Sequence, residues 1–313
     1  MSGCKLFRRI LYLSQRTISN TSFALAPSEY VPKHSPVMQA DVLKLEDFLF
    51  KHKKILVLTG AGISTESGIP DYRSEGVGLY ARSDKRPIVI QDFLNSEDVR
   101  RRYWARNYIG WPRFSSVVPN ATHYILKELE ETNKISHIVT QNVDRLHTKA
   151  GSKRVIELHG SAFTVECLGC GSTVPRHDIQ KVLMLLNPTM RNSSNMIRPD
   201  GDVELTDDEV NNFKLPCCVE CGGILKPEIV FFGGNVPMSK IEHVNQLVEE
   251  CDALLVLGSS LTVFSGYRLV LVAQELRKSI GIINIGPTRG DSKATLKIDA
   301  NCGDILTKIY IPK

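Results

Sequence analysis

Short apolar runs recur along the chain, and each one leads into polar or glycine-rich residues. The runs are four to six residues long and rich in Val, Ile and Leu, which is typical of strands that a parallel sheet buries on both faces. The pattern predicts strands at Ile55–Leu58, Ile135–Thr140, Ala253–Leu257 and Gly281–Gly286, with Ile229–Gly233 rejoining the main sheet and Lys297–Asp299 at its edge.

Apolar residues at helical spacing fill several of the stretches between these runs. Val42, Leu45 and Phe48, for example, share one face of a predicted helix. Helices are predicted over 38–52, 96–110, 120–131, 266–278 and 304–310, and a loop over 77–86. Strands that alternate with helices predict an α/β protein with a doubly wound, mostly parallel Rossmann-like sheet that binds ligands at the carboxyl ends of its strands.

Composition places the chain among ordinary globular proteins. It has 313 residues, 42% hydrophobic and 23% charged, and a formal net charge of +5. No apolar run approaches the ~20 residues that cross a membrane, so we expect no membrane partner. The basic stretch 100–106 is interpreted as a solvated helix face rather than a nucleic-acid site, so we expect no nucleic-acid partner either.

The N-terminal residues 1–28 have the composition of a mitochondrial transit peptide. Lys5, Arg8, Arg9 and Arg16 are basic, and no acidic residue precedes Glu29. The segment lacks the continuous apolar core of a secretory signal. We therefore predict a matrix protein with a linker over 29–40 and a catalytic domain over 41–313, while a disordered basic tail is the alternative.

A glycine loop follows the first predicted strand and has the start of a dinucleotide-binding turn. Gly60 and Gly62 allow the backbone to approach a pyrophosphate, and Ser64 and Thr65 are candidate caps of the next turn. The fingerprint is incomplete, because Thr65 stands where the third glycine is expected. A plain glycine turn therefore remains an alternative.

Two cysteine pairs predict a metal site. Cys167-x-x-Cys170 and Cys218-x-x-Cys221 each place two thiolates on a short turn, and four sulfurs close the tetrahedral shell of one structural Zn²⁺. Cys217 competes with Cys218, which alone has the two-residue spacing to Cys221. Thiol redox chemistry is the alternative. The predicted zinc-binding module is an insert over about 161–228.

These motifs and three further ones resemble the sirtuin family of NAD-dependent protein deacylases and ADP-ribosyltransferases. The further motifs are Thr140-Gln-Asn-Val-Asp-Arg-Leu-His147, Leu158-His-Gly160, and Gly258-Ser-Ser260 followed by Asn284-Ile-Gly286. The resemblance covers roughly residues 40 to 310 and is greatest to the mitochondrial sirtuin-four type. It implies that NAD is consumed as a co-substrate and that the partners are acyl-lysine proteins, among them mitochondrial metabolic enzymes.

The resemblance also implies a catalytic role for His159 and Asn142. In sirtuins the acyl oxygen of a modified lysine displaces nicotinamide from NAD, and a histidine then deprotonates a ribose hydroxyl. An imidazole, with a pKa near neutrality, suits that step. By the same analogy Asn142 positions the ribose and a water. A lone histidine is more often structural, and the polar residues after the second strand are equally typical of a turn.

The remaining site residues are also implied by the resemblance. For the cofactor they are Gly60, Ala61, Gly62, Ser64, Thr65, Ile69, Pro70, Asp71, Tyr72, Arg73, Tyr80, Gln141, Asn142, Val143, Asp144, Gly258, Ser259, Ser260, Asn284, Ile285, Gly286 and Cys302. For the peptide substrate they are Val230, Phe231, Phe232 and Gly233, which in sirtuins pair by backbone with the acyl-lysine segment.

Arg82 is the candidate for acyl selectivity. Tyr80 and Arg82 fall near the place where relatives selective for acidic acyl groups have a Tyr/Arg pair, so Arg82 is expected to pair with a carboxylate. A surface arginine on a flexible loop is the alternative. Two departures from the family pattern are Tyr72, in place of the usual phenylalanine, and Gly234-Asn235, where many relatives have an acidic residue.

Two other classes of function remain open on the sequence. An NAD-dependent dehydrogenase fits the α/β pattern, but the incomplete fingerprint and the cysteine pairs disfavour it. A weakly active, zinc-containing scaffold or regulatory binding protein is the other alternative.

Overall fold

The computed structural model describes residues 27–83, 87–190, 198–201, 203, 205 and 207–310. The predicted transit peptide lies almost wholly outside these residues. The described chain divides into two compact units. The larger comprises residues 27–83, 117–159 and 235–310, and the smaller comprises 87–116 together with the described part of 160–234.

The strands in the described ranges are β1 Ile55–Thr59, β2 Ile135–Thr140, β3 Val155–Glu157, β4 Gly160–Cys167, β5 Thr173–Pro175, β6 Leu225–Ile229, β7 Ala253–Leu257, β8 Ser279–Ile283 and β9 Leu296–Ile298. The α-helices there are α1 Gln39–Lys51, α2 Leu79–Arg82, α3 Ile90–Asn95, α4 Glu97–Ser116, α5 Ala121–Glu131, α6 Leu146–Ala150, α7 Arg176–Leu186, α8 Asp207–Asn211, α9 Met238–Glu250, α10 Phe264–Glu275 and α11 Cys302–Leu306. None of these helices is both long and apolar enough to span a bilayer.

The larger unit is built on a six-stranded sheet with the order β3-β2-β1-β7-β8-β9. Every neighbouring pair in this sheet is parallel. If the six strands of this sheet are renumbered 1 to 6 along the chain, their order is 3-2-1-4-5-6. This is the strand order of the dinucleotide-binding doubly wound fold. The predicted fold class is confirmed.

Helices cover both faces of this sheet. On one face, apolar residues of α1, α5 and α11 form a common core with Ile55 and Val57 of β1 and with the corresponding residues of β2, β7 and β8. The alternate residues Leu56 and Leu58 are also fully buried. On the other face α10 packs against β7 and β8, and α9 packs against α10. A strand buried on both faces requires a continuous apolar run, which is why the sequence pattern identified these strands.

The order of the strands creates a ligand-binding position between β1 and β7. From β1 the chain proceeds to β2 on one side, whereas β7 proceeds to β8 on the other. The loops that follow β1 and β7 therefore diverge at the carboxyl edge of the sheet. In doubly wound folds this is the crevice where the ligand binds.

The smaller unit has an antiparallel sheet of its own, with the order β5-β4-β6. Its core is aromatic: the indole N–H of Trp104 in α4 donates to the Leu225 carbonyl oxygen at 3.1 Å. The buried guanidinium of Arg176 lies over the Trp104 and Trp111 rings. Asn107 accepts two hydrogen bonds from that guanidinium through its side-chain oxygen, at 2.9 and 2.8 Å.

The prediction that Ile229–Gly233 rejoins the main sheet is wrong. Ile229 is the last residue of β6 and pairs with Gly160 of β4 in the small sheet. Beyond it, Phe232 forms an isolated bridge with Val89. The apolar run is genuine, but the antiparallel partner β4, some 65 residues earlier in the chain, determines which sheet receives it. The loop predicted over 77–86 also differs, because it contains the helical turn α2.

Candidate active site and metal centre

The loops that follow β1 and β7 are in direct contact. The amide of Gly60 donates to the Leu257 carbonyl oxygen at 3.1 Å, and that of Gly62 donates to the Gly258 carbonyl oxygen at 2.9 Å. A Cβ on Gly62 would lie 2.8 Å from the same oxygen of Gly258. Glycine is therefore required here by the packing of two backbones, in addition to any approach of a phosphate.

Ser64 joins the β1 loop to the β2 loop. Its hydroxyl donates to the Asp144 carboxylate at 2.7 Å and accepts from the Asn142 amide at 3.1 Å. The Asn142 amide also donates to the Gly60 carbonyl oxygen at 3.1 Å. The expectation that Ser64 and Thr65 cap the turn is wrong, because both lie within the 3₁₀ turn Ala61–Ser67, which begins after Gly60. Ser64 fixes the position of Asn142 instead.

Asp144 is a buried carboxylate at the centre of this network. Burial raises the pKa of Asp144, while hydrogen bonds from the Leu146 amide and the Ser64 hydroxyl oppose the shift. Thr65 is buried as well, and its hydroxyl donates to the Gly62 carbonyl oxygen at 2.9 Å. The residue that replaces the third glycine of the fingerprint thus stabilises the glycine turn from within.

Gln141 connects the β2 loop to the β7 loop. Its carboxamide N–H donates to the Ser259 hydroxyl at 2.9 Å and to the Thr59 carbonyl oxygen at 3.3 Å. A Cβ on Gly266 would lie 2.4 Å from the Gln141 side-chain oxygen, so a larger residue in the first turn of α10 would displace the Gln141 carboxamide. The polar residues after β1, β2 and β7 form one hydrogen-bonded group.

His159 lies against this group, with both ring nitrogens engaged. Nδ1 is 2.9 Å from the Gln141 carbonyl oxygen, and Nε2 is 2.7 Å from the Ser265 hydroxyl. Because a carbonyl oxygen only accepts, Nδ1 carries the hydrogen and Nε2 is the basic nitrogen of the neutral ring. Protein encloses most of the ring, and this burial lowers the pKa of His159, opposed by the bond to Gln141 and assisted by the charge of Lys240. The ring is therefore neutral near pH 7 and able to accept a proton.

The loop that follows the glycine turn is shaped by Asp71. Its carboxylate accepts the amides of Arg73 at 3.0 Å and Ser74 at 2.8 Å, together with the Ser74 hydroxyl. The rings of Tyr72 and Tyr80 are 6.0 Å apart, and the Arg73 guanidinium lies 5.4 Å from the centre of the Tyr80 ring. Ile69 and Pro70, which precede Asp71, are buried. The predicted cofactor residues between Ile69 and Tyr80 thus lie on one packed loop.

Arg82, at the end of α2, lies beside the N-terminal segment. Its guanidinium is 5.1 Å from the centre of the Tyr30 ring, and Tyr30 is buried. Tyr30 belongs to the 3₁₀ turn Pro27–Tyr30, which packs against the turn Ala61–Ser67. The first described residues of the chain therefore support the loop that carries Tyr80 and Arg82.

The loop after β8 contains the remaining predicted cofactor residues. The side-chain amide of Asn284 donates to the Ile285 carbonyl oxygen at 2.7 Å. Gly286 has a φ of +76°, a conformation that favours glycine. Lys297 donates to the Gly286 carbonyl oxygen at 2.9 Å. Burial raises the pKa of the Cys302 thiol to about 12, so the side chain is a neutral thiol and only its backbone is a candidate for cofactor contact.

The four predicted metal ligands form one cluster in the smaller unit. The sulfurs of Cys167, Cys170, Cys218 and Cys221 all lie within 4.8 Å of one another. Those of Cys167 and Cys221 are 3.4 Å apart, and those of Cys170 and Cys218 are 3.7 Å apart. A tetrahedral zinc with Zn–S bonds of about 2.3 Å requires S···S distances of about 3.8 Å, so the residues fit the ion.

Hydrogen-bonding groups lie beside the sulfurs of Cys167, Cys170 and Cys221. The amide of Gly169 donates to Cys167 Sγ and that of Gly223 donates to Cys221 Sγ, both at 3.3 Å. Hydrogen bonds from Ser172 lower the pKa of Cys170 to about 6. With four sulfurs in the shell, no position remains for an activated water, which makes the site structural. Cys218, rather than Cys217, is the member of the cluster.

The predicted substrate segment, Val230–Gly233, also belongs to the smaller unit. The Phe232 carbonyl oxygen accepts the Ile90 amide at 2.9 Å. The Phe231 ring is buried against Phe93 and Tyr103, whereas 37% of Phe232 is exposed. The segment is therefore anchored by one aromatic side chain and presents the other to solvent.

Three residues of the site were not identified from the sequence. They are Thr59, whose carbonyl oxygen accepts from Gln141, Ser265, whose hydroxyl contacts His159, and Gly266, whose missing side chain accommodates Gln141. Thr59 directly follows the predicted strand Ile55–Leu58 and is the last residue of the observed strand β1, and such a position was a local signal. Ser265 and Gly266 lie 106 and 125 residues from their partners, and no local pattern identifies such pairs.

The parallel sheet, the glycine crevice between β1 and β7, and the polar loops around it define a dinucleotide-binding α/β protein with a four-cysteine zinc module. Residues 60–265 match the model of the Sir2 family. The NAD-dependent protein deacylase Sirt4 of Drosophila melanogaster is 55% identical over 285 residues, which are 91% of each chain. The NAD-dependent protein lipoamidase sirtuin-4, mitochondrial, of Homo sapiens is 52% identical over 280 residues, which are 90% of this chain and 89% of the human one.

The solved structures that resemble this chain are also of Sir2 proteins. Sir2 bound to acetylated peptide is 30% identical with a TM-score of 0.67, covering 85% of this chain and 96% of that chain. A Sir2 enzyme bound to a propionylated peptide is 30% identical with a TM-score of 0.66, covering 87% and 97%. The chain belongs to the Sir2 family, and it is most similar in sequence to relatives of the Sirt4 type among those named here. It is therefore an NAD-dependent protein deacylase of the sirtuin class, with NAD as co-substrate.

Proposed function

We propose that this protein removes acyl groups from lysine side chains of mitochondrial proteins, with His159 as the general base. The observation that carries the proposal is the state of the His159 ring. Nδ1 is held on the Gln141 carbonyl oxygen, which leaves Nε2 as the basic nitrogen, and burial keeps the imidazole neutral near pH 7. NAD supplies an anomeric carbon from which nicotinamide departs. His159 Nε2 supplies the base that takes a proton from a substrate hydroxyl.

The loops at the carboxyl ends of β1, β2, β7 and β8 are proposed to bind the co-substrate. The glycine backbone around Gly60 and Gly62 receives the phosphates, together with Ser259 and Ser260, while Asn284 and the Cys302 backbone hold the adenosine end. Asn142 orients the ribose. The support for this role is its pair of hydrogen bonds, to Gly60 and Ser64, which fix the carboxamide in one direction.

The proposal also specifies which acyl groups are removed. The human and Bos taurus relatives are named as lipoamidases, which motivates lipoyl-lysine as one substrate. The Tyr80 and Arg82 pair motivates a second class, lysine acylated with a chain that ends in a carboxylate. Val230–Gly233 is proposed to pair with the peptide by its backbone, so the acyl chain determines much of the selectivity.

Transfer of ADP-ribose to protein is a second proposed outcome, because it shares the departure of nicotinamide and differs only in the group that captures the anomeric carbon. The mitochondrial matrix is the proposed location. It is supported by the basic composition of residues 1–28 and by the word mitochondrial in the names of two relatives. Import of the full chain into isolated mitochondria, followed by protease protection in mitoplasts, tests it.

The activity is tested with purified protein, NAD and a panel of acetyl-, lipoyl- and glutaryl-lysine peptides, read by mass spectrometry. We expect release of nicotinamide together with acylated ADP-ribose and the deacylated lysine peptide, and loss of the last two products in His159→Ala. ADP-ribose attached to protein would identify transfer as the main reaction. A dehydrogenase would instead produce NADH absorbance without nicotinamide. If folded, zinc-loaded protein released no nicotinamide on any peptide, the scaffold alternative would replace the proposal.

A further inference from the structure

The Ser265 hydroxyl occupies the one nitrogen of His159 that is free to act as a base. Nε2 and Ser265 Oγ are 2.7 Å apart, a short hydrogen bond. The Gln141 carbonyl oxygen holds the hydrogen of Nδ1. In the neutral ring Nε2 has no hydrogen, so Ser265 must be the donor in this bond. A substrate hydroxyl therefore cannot reach the lone pair of Nε2 while Ser265 remains in place.

The Ser265 hydroxyl can bridge the substrate hydroxyl and His159 Nε2. A serine hydroxyl has one donor hydrogen and two acceptor lone pairs, so it accepts from a second hydroxyl while it donates to Nε2. The side chain lies in the first turn of α10 and is only partly buried, so one side of it is open to an incoming group. The adjacent Gly266 brings α10 close to Gln141, the same residue that holds Nδ1.

We propose that Ser265 is a catalytic residue that relays the proton from the substrate hydroxyl to His159. This proposal rests on the proposed role of His159 as the base. Ser265 Oγ accepts the substrate proton as it passes its own hydrogen to Nε2. The substrate oxygen keeps the electron pair of the broken O–H bond and uses it to bond to the acyl carbon, while the π pair of the C=N bond of that carbon moves to the lysine nitrogen. Serine ends neutral, and His159 ends as the imidazolium.

The first test is the single-turnover rate of peptide deacylation with acetyl-lysine peptide and NAD. Ser265→Ala is expected to slow this step about 100-fold, the lower end of what a positioned acid–base group contributes. Ser265→Thr retains a hydroxyl and should recover most of the rate. Gln274→Ala, at an exposed position in the same helix, is the matched control and should leave the rate unchanged. Alanine is a good helix former, so loss of α10 is not expected.

A relay also predicts that two protons are transferred in one step, one from the substrate hydroxyl to Ser265 and one from Ser265 to His159. The rate in mixtures of H₂O and D₂O should curve with the deuterium fraction in the wild type and be linear in Ser265→Ala. A linear dependence in the wild type would overturn the relay. So would a rate in Ser265→Ala equal to or above that of the wild type, because Ser265 would then be a group that blocks the base.

A readout without NAD is the ¹⁵N NMR spectrum of the histidine ring, with His159→Ala used to assign the signals. We expect the Nδ1–H tautomer and a hydrogen-bonded Nε2, which loses that bond in Ser265→Ala and keeps it in Ser265→Thr. An Nε2–H tautomer would overturn the proposal.

Nicotinamide release separates this proposal from the proposed function. Departure of nicotinamide precedes the proton transfer, so Ser265→Ala should still release it in one turnover. Absence of release in the wild type would refute the deacylase function itself. An inactive His159→Ala beside a fully active Ser265→Ala would refute the relay alone.

Discussion

Gly62 and Gly258 are in backbone contact at the crevice between β1 and β7. The Gly62 amide donates to the Gly258 carbonyl oxygen at 2.9 Å, and a Cβ on Gly62 would lie 2.8 Å from that oxygen and 3.0 Å from the Gly258 Cα. Two backbones cannot yield as a side chain does. We therefore expect Gly62→Ala to lower the free energy of unfolding by about 1–3 kcal/mol, as overpacking does, and to weaken NAD binding.

Urea unfolding and calorimetric titration with NAD measure the two effects of Gly62→Ala. Gly76→Ala is the control, because Gly76 has a φ of +73° and a Cβ there meets no atom within 4 Å. It should cost only the backbone strain of about 1 kcal/mol and retain NAD binding. If Gly62→Ala bound NAD as tightly as Gly76→Ala does, the close approach of the loops would not matter for the ligand.

The neighbouring cysteines Cys217 and Cys218 provide a paired test of the metal centre. Only Cys218 has its sulfur in the four-cysteine cluster. Cys218→Ser should lower the zinc content well below one ion per chain and reduce the melting temperature, because structural zinc contributes directly to folding. Cys217→Ser should retain the zinc. Metal analysis after gel filtration measures both, and loss of zinc in Cys217→Ser but not in Cys218→Ser would exchange the two assignments.

His147 makes the larger unit sensitive to acid. It is buried beneath the β1 strand, with Nε2 3.0 Å from the Thr59 hydroxyl, and its ring is 4.9 Å from that of His123. Burial lowers the pKa of His147 to about 3 and lowers that of His123 well below its ordinary value. Both rings are neutral in the folded state, and the unfolded chain binds more protons as the pH falls. Their contribution to the free energy of unfolding is complete above pH 6.5. It declines as the pH falls toward the pKa values that the two rings have in the folded state.

Between pH 7 and pH 5, His147 alone should account for the loss of about 2 kcal/mol of unfolding free energy. Urea unfolding at the two pH values measures this, and His147→Gln should reduce the difference by that amount. Equal pH dependence in the wild type and His147→Gln would contradict the assignment.

The parts of the fold that the sequence predicted best are those specified by local patterns. The observed bounds of β2 and β7 agree with the prediction at every residue. β7 is an apolar run that Gly258 follows, and β2 has a high content of β-branched residues and ends at the polar Thr140. The two Cys-x-x-Cys spacings likewise identify the metal cluster, since each pair forms one turn. The helix predicted over 120–131 is likewise observed as α5, with Asn120 as its N-cap.

What the sequence could not predict depends on contacts between distant residues. Ile229 has the apolar neighbours of a buried strand, yet its pairing with Gly160 decides that it belongs to the small antiparallel sheet. Ser265 and His159 come together only because α10 packs beside the carboxyl edge of the sheet. The short strand β3 was missed because three residues carry too little periodicity.

Arg82 is the residue with which acyl selectivity can be tested. Its guanidinium lies 5.1 Å from the centre of the buried Tyr30 ring, so the N-terminal segment determines where the charge is held. If Arg82 binds an acidic acyl chain, Arg82→Ala should lower kcat/KM for glutaryl-lysine relative to acetyl-lysine by about tenfold or more. This matches the ~1.5–3 kcal/mol of a charge-assisted hydrogen bond.

Two matched variants separate charge from position in that comparison. Arg82→Lys keeps the charge but loses the bidentate geometry, so it should recover part of the preference. Tyr30→Ala keeps the Arg82 charge and removes the ring beside it, so it should weaken the preference less than Arg82→Ala does. An unchanged ranking of glutaryl- over acetyl-lysine in Arg82→Ala would show that Arg82 does not select the acyl chain. A loss of the preference in Tyr30→Ala but not in Arg82→Ala would identify the N-terminal segment, rather than the charge, as the determinant.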